Sequence, residues 1–237
     1  MCGRFSLFAP PDEIARIIAL LPEQVRSVTD SKPRFNVAPT TPVAAVRKAR
    51  QSGEKEIVSL RWGLVPSWAK EVGSGPLLIN ARAETVAEKP SFRSPFKNQR
   101  CLVLADGFFE WRRLDDRKQP YHFQVDGGAV FAFAGIWDRW QRGEDDPVES
   151  CAILTTRANE LTALVHERMP VILPNECWEM WLGTGDEEPA DPAELKSLLK
   201  PFPADRLTVF PVSTVVNSPR NNVPECLEPT GPELTVS

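Results

Sequence analysis

The stretch CLVLADGFFEW, residues 101–111, is rich in the residue types that favour β-strands. Short runs of Val, Ile, Phe and Trp that are bounded by Gly, Pro or Asp are typical of strands. Similar runs occur on both sides of this stretch: GRFSLF (3–8), VAAVRKA (43–49), EIVSLRWG (56–63), YHFQV (121–125), AVFAFAGIW (129–137), CAILTT (151–156) and RLTVFPV (206–212). The pattern predicts a chain that consists mainly of short strands.

Helical patterns are fewer and shorter. In PPDEIARIIALLPEQVR (10–26), Pro and acidic residues come first and the following apolar residues fall on one face, which predicts a helix. Further helical signals lie at 158–165, 174–182 and 191–199. Strands and helices do not alternate as they do in a parallel α/β sheet. We therefore expect an α+β fold with a largely antiparallel, barrel-like sheet flanked by short helices.

The composition favours one globular unit. The chain has 237 residues, 42% of them hydrophobic and 25% charged, which is enough apolar content for one sizeable core. We expect a single domain over residues 1–229 and a loose tail at 230–237. No leader pattern and no run of 18 apolar residues is present, which predicts a protein without a membrane association.

The five cysteines are widely spaced and include no CxxC pair. This spacing argues against a disulfide framework or a zinc ribbon and favours a reducing compartment. We expect a cytoplasmic monomer, associated with the nucleoid if the source is bacterial, with no cofactor and no metal.

Positive charge is concentrated in the first half of the chain. Residues 1–120 hold 20 Lys and Arg against 13 Asp and Glu, a net charge of +7, whereas residues 121–237 carry −11. Such an asymmetry indicates an anion-binding surface, although a solvated mixed surface would give the same counts. Arginines next to aromatic residues, as in Arg4-Phe5 and Arg61-Trp62, suit single-stranded nucleic acid. The alternative is that these aromatic residues belong to the core.

Cys2 becomes an amino-terminal residue if Met1 is removed. Its α-amine, with a pKa near 8, is then about one quarter unprotonated at pH 7.4, against about 0.1% of a lysine side chain. It can condense with an aldehyde, and the adjacent thiol can close a thiazolidine ring on the resulting imine. Alternatively, the thiol could attack a carbonyl with the amine as its base.

Either reaction needs a group that transfers protons. Glu110 lies between Phe109 and Trp111, where a carboxyl group would have a raised pKa if it were buried; strand alternation would instead turn Glu110 to solvent. His166 lies where a predicted helix meets a strand, and a structural role is as plausible there as a catalytic one. His122 lies in an alternating stretch and is expected to be a structural strand residue.

Taken together, the motifs resemble those of the SOS response-associated peptidase (SRAP) family. They follow one another along the chain from residue 1 to about 229: MCGRF (1–5), PRFNVAPT (33–40), RWGLVPSWA (61–69), LINARAET (78–85), LADGFFEW (104–111), HERMPVIL (166–173) and FPVSTVVNSPRNNVPECLEP (210–229). The resemblance implies a single α+β domain that senses abasic sites in single-stranded DNA. It also implies a covalent thiazolidine crosslink through Cys2 that shields the lesion, with lyase activity and crosslink reversal as accompanying reactions.

The resemblance also implies roles for individual residues. Cys2 would be the crosslinking nucleophile, and Asn80 would hydrogen-bond near the sugar or the nascent ring. Glu110 would transfer protons, while His166 would assist ring opening, imine chemistry and reversal. Five residues would contact DNA: Arg4, Asn36, Pro39, Trp68 and Arg82. Where some members of the family carry a further arginine after the INAR motif, this chain has EKPSFR (88–93), so that Lys89 or Arg93 would have to replace it.

Two other functions fit the same residues. One is a thiol peptidase or autopeptidase that uses Cys2 with Glu110 and His166. The other is a module that binds single-stranded DNA without any chemistry, so that its binding would fall with salt and never survive a denaturant.

Overall fold

The computed structural model describes residues 2–29, 32–115, 117–143, 146–184 and 190–236; Met1 and Ser237 lie outside the described residues. Within these ranges the strands are β1 Arg4–Leu7, β2 Arg34–Val37, β3 Pro42–Lys48, β4 Lys55–Trp62, β5 Asn80–Arg82, β6 Arg100–Ala105, β7 Gly107–Leu114, β8 Arg117–Val125, β9 Phe131–Trp140, β10 Val148–Arg157, β11 Arg168–Pro170, β12 Ile172–Leu173 and β13 Leu207–Pro211. The helices are α1 Pro11–Ile18, α2 Pro22–Thr29, α3 Arg93–Asn98, α4 Glu160–Ala163, α5 Trp178–Leu182 and α6 Pro192–Ser197. This is the predicted α+β fold with few and short helices.

Five of the strands close into a barrel. Each strand pairs with the next in the order β10-β4-β3-β6-β9, and β9 pairs back with β10. The pairings of β10 with β4 and with β5 are parallel, while the other pairings in the described ranges are antiparallel. The expectation of a largely antiparallel, barrel-like sheet is therefore confirmed.

A second, open sheet packs against the barrel, with strand order β13-β8-β7-β1-β2. Its inner face contributes Phe5 and Phe108 to a core that it shares with barrel residues such as Trp62 and Phe133. The Phe5 ring centroid lies 5.1 Å from that of Trp62 and 5.7 Å from that of Phe133. The first strand of the chain is thus anchored in the barrel core immediately after Cys2.

The outer face of the second sheet is covered by the end of the chain. Phe109 packs there in a small cluster with Val212, Val216 and Cys226, all of them buried. Because successive side chains of a strand point to opposite faces, Phe109 faces this cover whereas Phe108 and Glu110 face inward. The carboxyl-terminal segment therefore covers the face of β7 that carries Phe109.

Two expectations differ from the structure. The single helix predicted at 10–26 is divided into α1 and α2, because Ala19 adopts a left-handed conformation (φ 53°) that caps α1 and Pro22 starts the next helix. The tail predicted to be loose is hydrogen-bonded to β13. Thr230 N–H donates to Pro211 O at 2.8 Å, and Leu234 N–H donates to Val209 O at 2.7 Å.

No helix in the described ranges combines the length and the apolar content that crossing a membrane requires.

Candidate functional site

Cys2 is fully buried and lies two residues before β1. Asn80, the first residue of β5, donates from its side-chain nitrogen to the backbone oxygen of Cys2 at 2.8 Å. The other end of the same amide, Asn80 Oδ1, is buried and has no hydrogen-bond partner among the described residues. A buried acceptor without a partner is costly, so this atom is prepared to receive a donor from a bound molecule.

Glu110 lies on the inward face of β7 and is 3% exposed. Of the two alternatives that the sequence left open, the buried one is therefore confirmed. Burial raises the pKa of the Glu110 carboxyl group, while the positive charges of the chain terminus and of His166 oppose the increase. A raised pKa brings the protonation of a carboxyl group closer to neutral pH, which suits a group that transfers protons.

The Cys2 thiol is kept in its protonated form. Burial raises its pKa well above the ordinary value, and the negative charge of nearby Glu110 raises it further. A thiol of this kind is a poor nucleophile toward a peptide carbonyl, because the thiolate is the reactive species.

His166 lies between α4 and β11, and the backbone of Arg168 fixes its imidazole. The Arg168 N–H donates to His166 Nδ1 at 3.0 Å, so the proton of the neutral imidazole is assigned to Nε2. The Arg168 carbonyl oxygen also lies 3.2 Å from Nδ1. The backbone of Arg168 therefore fixes the orientation of the His166 ring.

An ion pair connects the segment of His166 to that of Asn80. The Arg168 guanidinium donates to both carboxylate oxygens of Glu84 at 3.0 Å, and its Nη2 donates to Thr155 O at 2.6 Å. These hydrogen bonds hold the pKa of Glu84 below its usual range. Glu84 follows Asn80 by four residues and Arg168 follows His166 by two, so the ion pair holds β5 and β11 at a fixed separation on either side of β10.

Arg4 and Asn36 hold the carboxyl-terminal segment against the second sheet. Arg4 Nη1 donates to Asn36 Oδ1 at 2.8 Å and to Val216 O at 3.0 Å, and the guanidinium lies over the Trp111 ring at 5.8 Å. Asn36 is buried, and its side-chain nitrogen donates to the carbonyl oxygens of Val216, Ser218 and Asn221. Both side chains thus have structural partners, and a contact of either with DNA stays a prediction.

The remaining predicted DNA contacts lie nearer to the surface. Pro39 is half-buried in the turn after β2, whereas the Trp68 side chain is 63% exposed. Arg82, at the end of β5, is exposed two residues beyond Asn80. Lys89 and Arg93, the candidates for the additional basic contact, are also exposed. Arginine and tryptophan side chains exposed in this way are suited to phosphate contact and base stacking.

Within the described ranges, His, Cys, Asp and Glu side chains form no group of three that could hold a metal ion. The candidate site contains the buried Cys2 thiol, the Glu110 carboxyl group of raised pKa, the Asn80 amide and the His166 imidazole. The model of the family described as SOS response associated peptidase matches residues 1–219 of this chain. The chain belongs to the SRAP family.

Relatives of this SRAP chain extend over nearly its whole length. It is 43% identical over 232 residues to the abasic site processing protein YoqW of Bacillus subtilis, covering 96% of this chain and 99% of the relative. It is 34% identical over 273 residues to the abasic site processing protein HMCES of Rattus norvegicus, covering 97% of this chain and 76% of that protein.

Among solved structures, a protein from Bacteroides thetaiotaomicron superposes with a TM-score of 0.85 at 30% identity, covering 97% of this SRAP chain and 100% of that one. A phage-related protein from Bordetella bronchiseptica superposes with a TM-score of 0.67 at 30% identity, covering 89% of this chain and 94% of that one.

The ion pair of Glu84 with Arg168, which lies beside the candidate site, was not predicted from the sequence. Both residues lie inside motifs that were singled out, LINARAET and HERMPVIL. The available signal was their charge, since an acidic and a basic residue each lie within four positions of a candidate site residue. Glu84 and Arg168 can pair because β5 and β11 both lie next to β10. This strand order cannot be read from one sequence.

Proposed function

We propose that this chain processes abasic sites in single-stranded DNA and forms a covalent crosslink to them through Cys2. The observation that carries the proposal is the set of contacts around Cys2. Its backbone is held by Asn80, its thiol lies within electrostatic reach of Glu110, and Glu110 in turn interacts with His166. The relatives are named abasic site processing proteins, which supports the same substrate.

The proposed reaction starts at the amine. Once Met1 is removed, the free amine of Cys2 attacks the aldehyde of the ring-opened sugar, and the resulting carbinolamine loses water to give an imine. The sulfur then bonds to the imine carbon while the thiol proton passes to the nitrogen, which closes a thiazolidine. The net change is the loss of one water molecule, so no oxidant or cofactor is needed.

The side chains supply the proton transfers of this sequence. Glu110, because its pKa is raised, can protonate the departing hydroxyl group of the carbinolamine and later take the proton back. His166, with its proton on Nε2, can donate to the ring oxygen of the sugar as the ring opens. Asn80 holds the backbone of Cys2, and its unpaired Oδ1 can accept a hydrogen bond from the sugar or the amine.

The protonated thiol favours this order of steps over a thiol peptidase. A peptidase cysteine needs a lowered pKa, because its thiolate must attack an unactivated carbonyl. Here burial and Glu110 raise the pKa of Cys2. An imine is far more electrophilic than an amide, and it can accept the sulfur as the thiol proton leaves for the imine nitrogen.

A denaturing gel tests the proposal. The protein is mixed with a single-stranded oligonucleotide that carries one abasic site, and a band of covalent complex is expected. Two DNA controls are an intact oligonucleotide and one whose abasic aldehyde has been reduced to an alcohol, neither of which should crosslink. If wild type gives no shifted band, or if Cys2→Ala gives as much as wild type, the proposal is wrong.

Strand cleavage is the expected competing reaction. Cys2→Ala keeps the α-amine but cannot close the ring, so its imine should persist and lead to elimination of the 3′ phosphate. We expect this variant to form a complex only when the imine is trapped with borohydride, and to cut the DNA more than wild type does. If wild type cleaves the DNA as much as Cys2→Ala or more, ring closure does not compete with strand cleavage.

A further inference from the structure

Behind the site lies a buried polar cluster that the proposed reaction does not use. It consists of Ser6, Asp106 and His122, which are 0%, 1% and 0% exposed. Ser6 Oγ donates to Asp106 Oδ1 at 2.7 Å and lies 3.4 Å from His122 Nε2. Buried polar groups cost free energy unless they are hydrogen-bonded, so a cluster of this kind is kept for the geometry that it imposes.

Asp106 connects two parts of the chain. Besides Ser6, its carboxylate accepts the backbone N–H groups of Phe8 at 2.5 Å and Ala9 at 2.9 Å, and its own N–H donates to Ser6 O at 3.0 Å. These hydrogen bonds attach the end of β1 to the short connection between β6 and β7. Charge-assisted hydrogen bonds to backbone N–H groups are among the stronger ones in proteins.

Gly107 makes room for the third member of the cluster. A Cβ at this position would lie 2.1 Å from His122 Nε2 and 3.0 Å from Ser6 Oγ, which no side chain could tolerate without displacing the ring. Gly107 is also the residue that pairs with Ser6 across β1 and β7. The imidazole therefore packs onto the backbone at the position where the two strands meet.

The pairing that this cluster supports is short. β1 and β7 are paired only at Arg4–Phe109, Phe5–Phe108 and Ser6–Gly107, and the pairing of β1 with β2 on its other side is irregular. A short ladder specifies its register weakly, and a slip of one residue would shift β1 by about 3.3 Å and reverse the direction of its side chains.

The register of these strands sets the geometry of the site. Cys2 lies two residues before the first paired residue of β1, and Glu110 lies one residue beyond the last paired residue of β7. We propose that Ser6, Asp106 and His122 are positioning residues, which lock β1 in register on β7 and thereby hold the Cys2 amine and thiol against Glu110. For its effect on crosslinking, this inference rests on the proposed function.

Two conservative variants, called the lock variants below, test whether Ser6 and Asp106 fix the register of β1 on β7. Ser6→Ala removes the hydroxyl group, and Asp106→Asn keeps the shape but loses the charge. The covalent step is measured as the single-turnover rate of crosslinking at saturating abasic DNA, and binding is measured as the affinity for intact DNA of the same length. We expect each variant to crosslink at least tenfold more slowly while its affinity for intact DNA changes less than twofold.

The control is Leu195→Ala in α6, which removes a buried side chain from a hydrophobic cluster separate from the core that the second sheet shares with the barrel. Each variant is assayed at the same interval below its own unfolding temperature. A general loss of stability would slow Leu195→Ala as much as the two lock variants, and that result would overturn the proposal. Rates for Ser6→Ala and Asp106→Asn that equal the wild-type rate would overturn it as well.

A readout without DNA separates this inference from the proposed function. Backbone amide exchange of residues 4–6 and 107–109 should become faster in the lock variants than in Leu195→Ala, because the register is no longer fixed. If wild type does not crosslink at all, the proposed function fails. Amide exchange then still decides whether the cluster fixes the register of β1 on β7. Unchanged exchange in both variants shows that it does not.

Discussion

Glu110 illustrates what can be learned from one residue. Its neighbours Phe109 and Trp111 are apolar on both sides, so alternation alone allowed either a solvated or a buried carboxyl group. The carboxyl-terminal segment covers the face of β7 that carries Phe109, so Glu110 lies on the opposite face, which the barrel covers. That cover comes from residues about 100 positions away, and no local pattern in the sequence contains it.

Glu110→Gln should slow crosslinking about 100-fold, because general acid–base catalysis by one side chain contributes roughly 10² to 10⁴. Glutamine keeps the size and the hydrogen-bonding shape but cannot transfer the proton. The measurement is the single-turnover crosslinking rate between pH 5 and 9. Wild type should show a dependence on the Glu110 pKa that the variant lacks, and identical pH profiles would contradict the role.

His122 should make the fold sensitive to acid. Burial lowers the pKa of His122 to about 3, so the folded state keeps it neutral while the unfolded state takes up a proton below pH 6.5. The stability that it contributes is therefore fully present above pH 6.5 and is lost as the pH falls toward 3. Asp106, which reaches His122 through Ser6, has a raised pKa from burial and acts in the opposite direction.

The comparison with His122→Asn isolates the histidine, since Asp106 is present in both proteins. Between pH 7 and pH 5, wild type should lose about 2 kcal/mol more free energy of unfolding than the variant does. Urea unfolding at the two pH values measures this difference. Equal losses in both proteins would show that His122 is protonated in the folded state as easily as in the unfolded chain.

At the scale of elements, most of the strands could be predicted because their composition and their bounding residues are local properties. The first helix could not be placed correctly. Its apolar positions continue through 20 and 21, so the pattern extends across the turn in which Ala19 ends α1. The conformation of one alanine is decided by packing, since the left-handed region is unfavourable for it and nothing in the sequence announces it.

Ala19→Gly should therefore stabilise the protein by about 0.5–1 kcal/mol, because glycine adopts the left-handed conformation at φ 53° without steric cost. Ala15→Gly, in the interior of the same helix, is the matched control and should destabilise it by about 1 kcal/mol or more. Thermal unfolding of both variants measures the two effects. A loss of stability in Ala19→Gly would mean that the entropy of the unfolded chain outweighs the relieved strain.

At the scale of the molecule, Asn36 connects strand β2, near the start of the chain, to the carboxyl-terminal segment. The resemblance to the SRAP family implies that Asn36 contacts DNA. In the structure its side chain donates to three carbonyl groups of the carboxyl-terminal segment. The α+β fold class could be predicted from the sequence, but the attachment of the carboxyl-terminal segment to β2 could not. Contacts across some 180 residues depend on how the sheets are arranged and leave no periodic signal in the sequence.

Asn36→Ala should lower the free energy of unfolding by about 2 to 3 kcal/mol, because it removes the hydrogen bonds from Asn36 to three carbonyl groups and the charge-assisted hydrogen bond from Arg4 to Asn36 Oδ1. The control Asn222→Ala removes two hydrogen bonds at an exposed position and should cost about 1 kcal/mol or less. Urea unfolding and proteolysis of residues 213–222 measure the difference. If Asn36→Ala is as stable as wild type and only DNA binding is lost, the role of Asn36 is that of a ligand contact.

The hydrogen bond from Arg4 to the carbonyl of Val216 spans 212 residues. A ribosome builds the chain from its amino terminus, so β1 leaves the exit tunnel long before the segment that covers its sheet has been made. The strand beside Cys2 first lacks Asp106, and after residue 106 has been made it still lacks the carboxyl-terminal segment. Under the proposed function, the arrangement of Cys2 with Glu110 is therefore complete only after residues 212–226 have been made, and a chain that stops before them carries the cysteine without this arrangement.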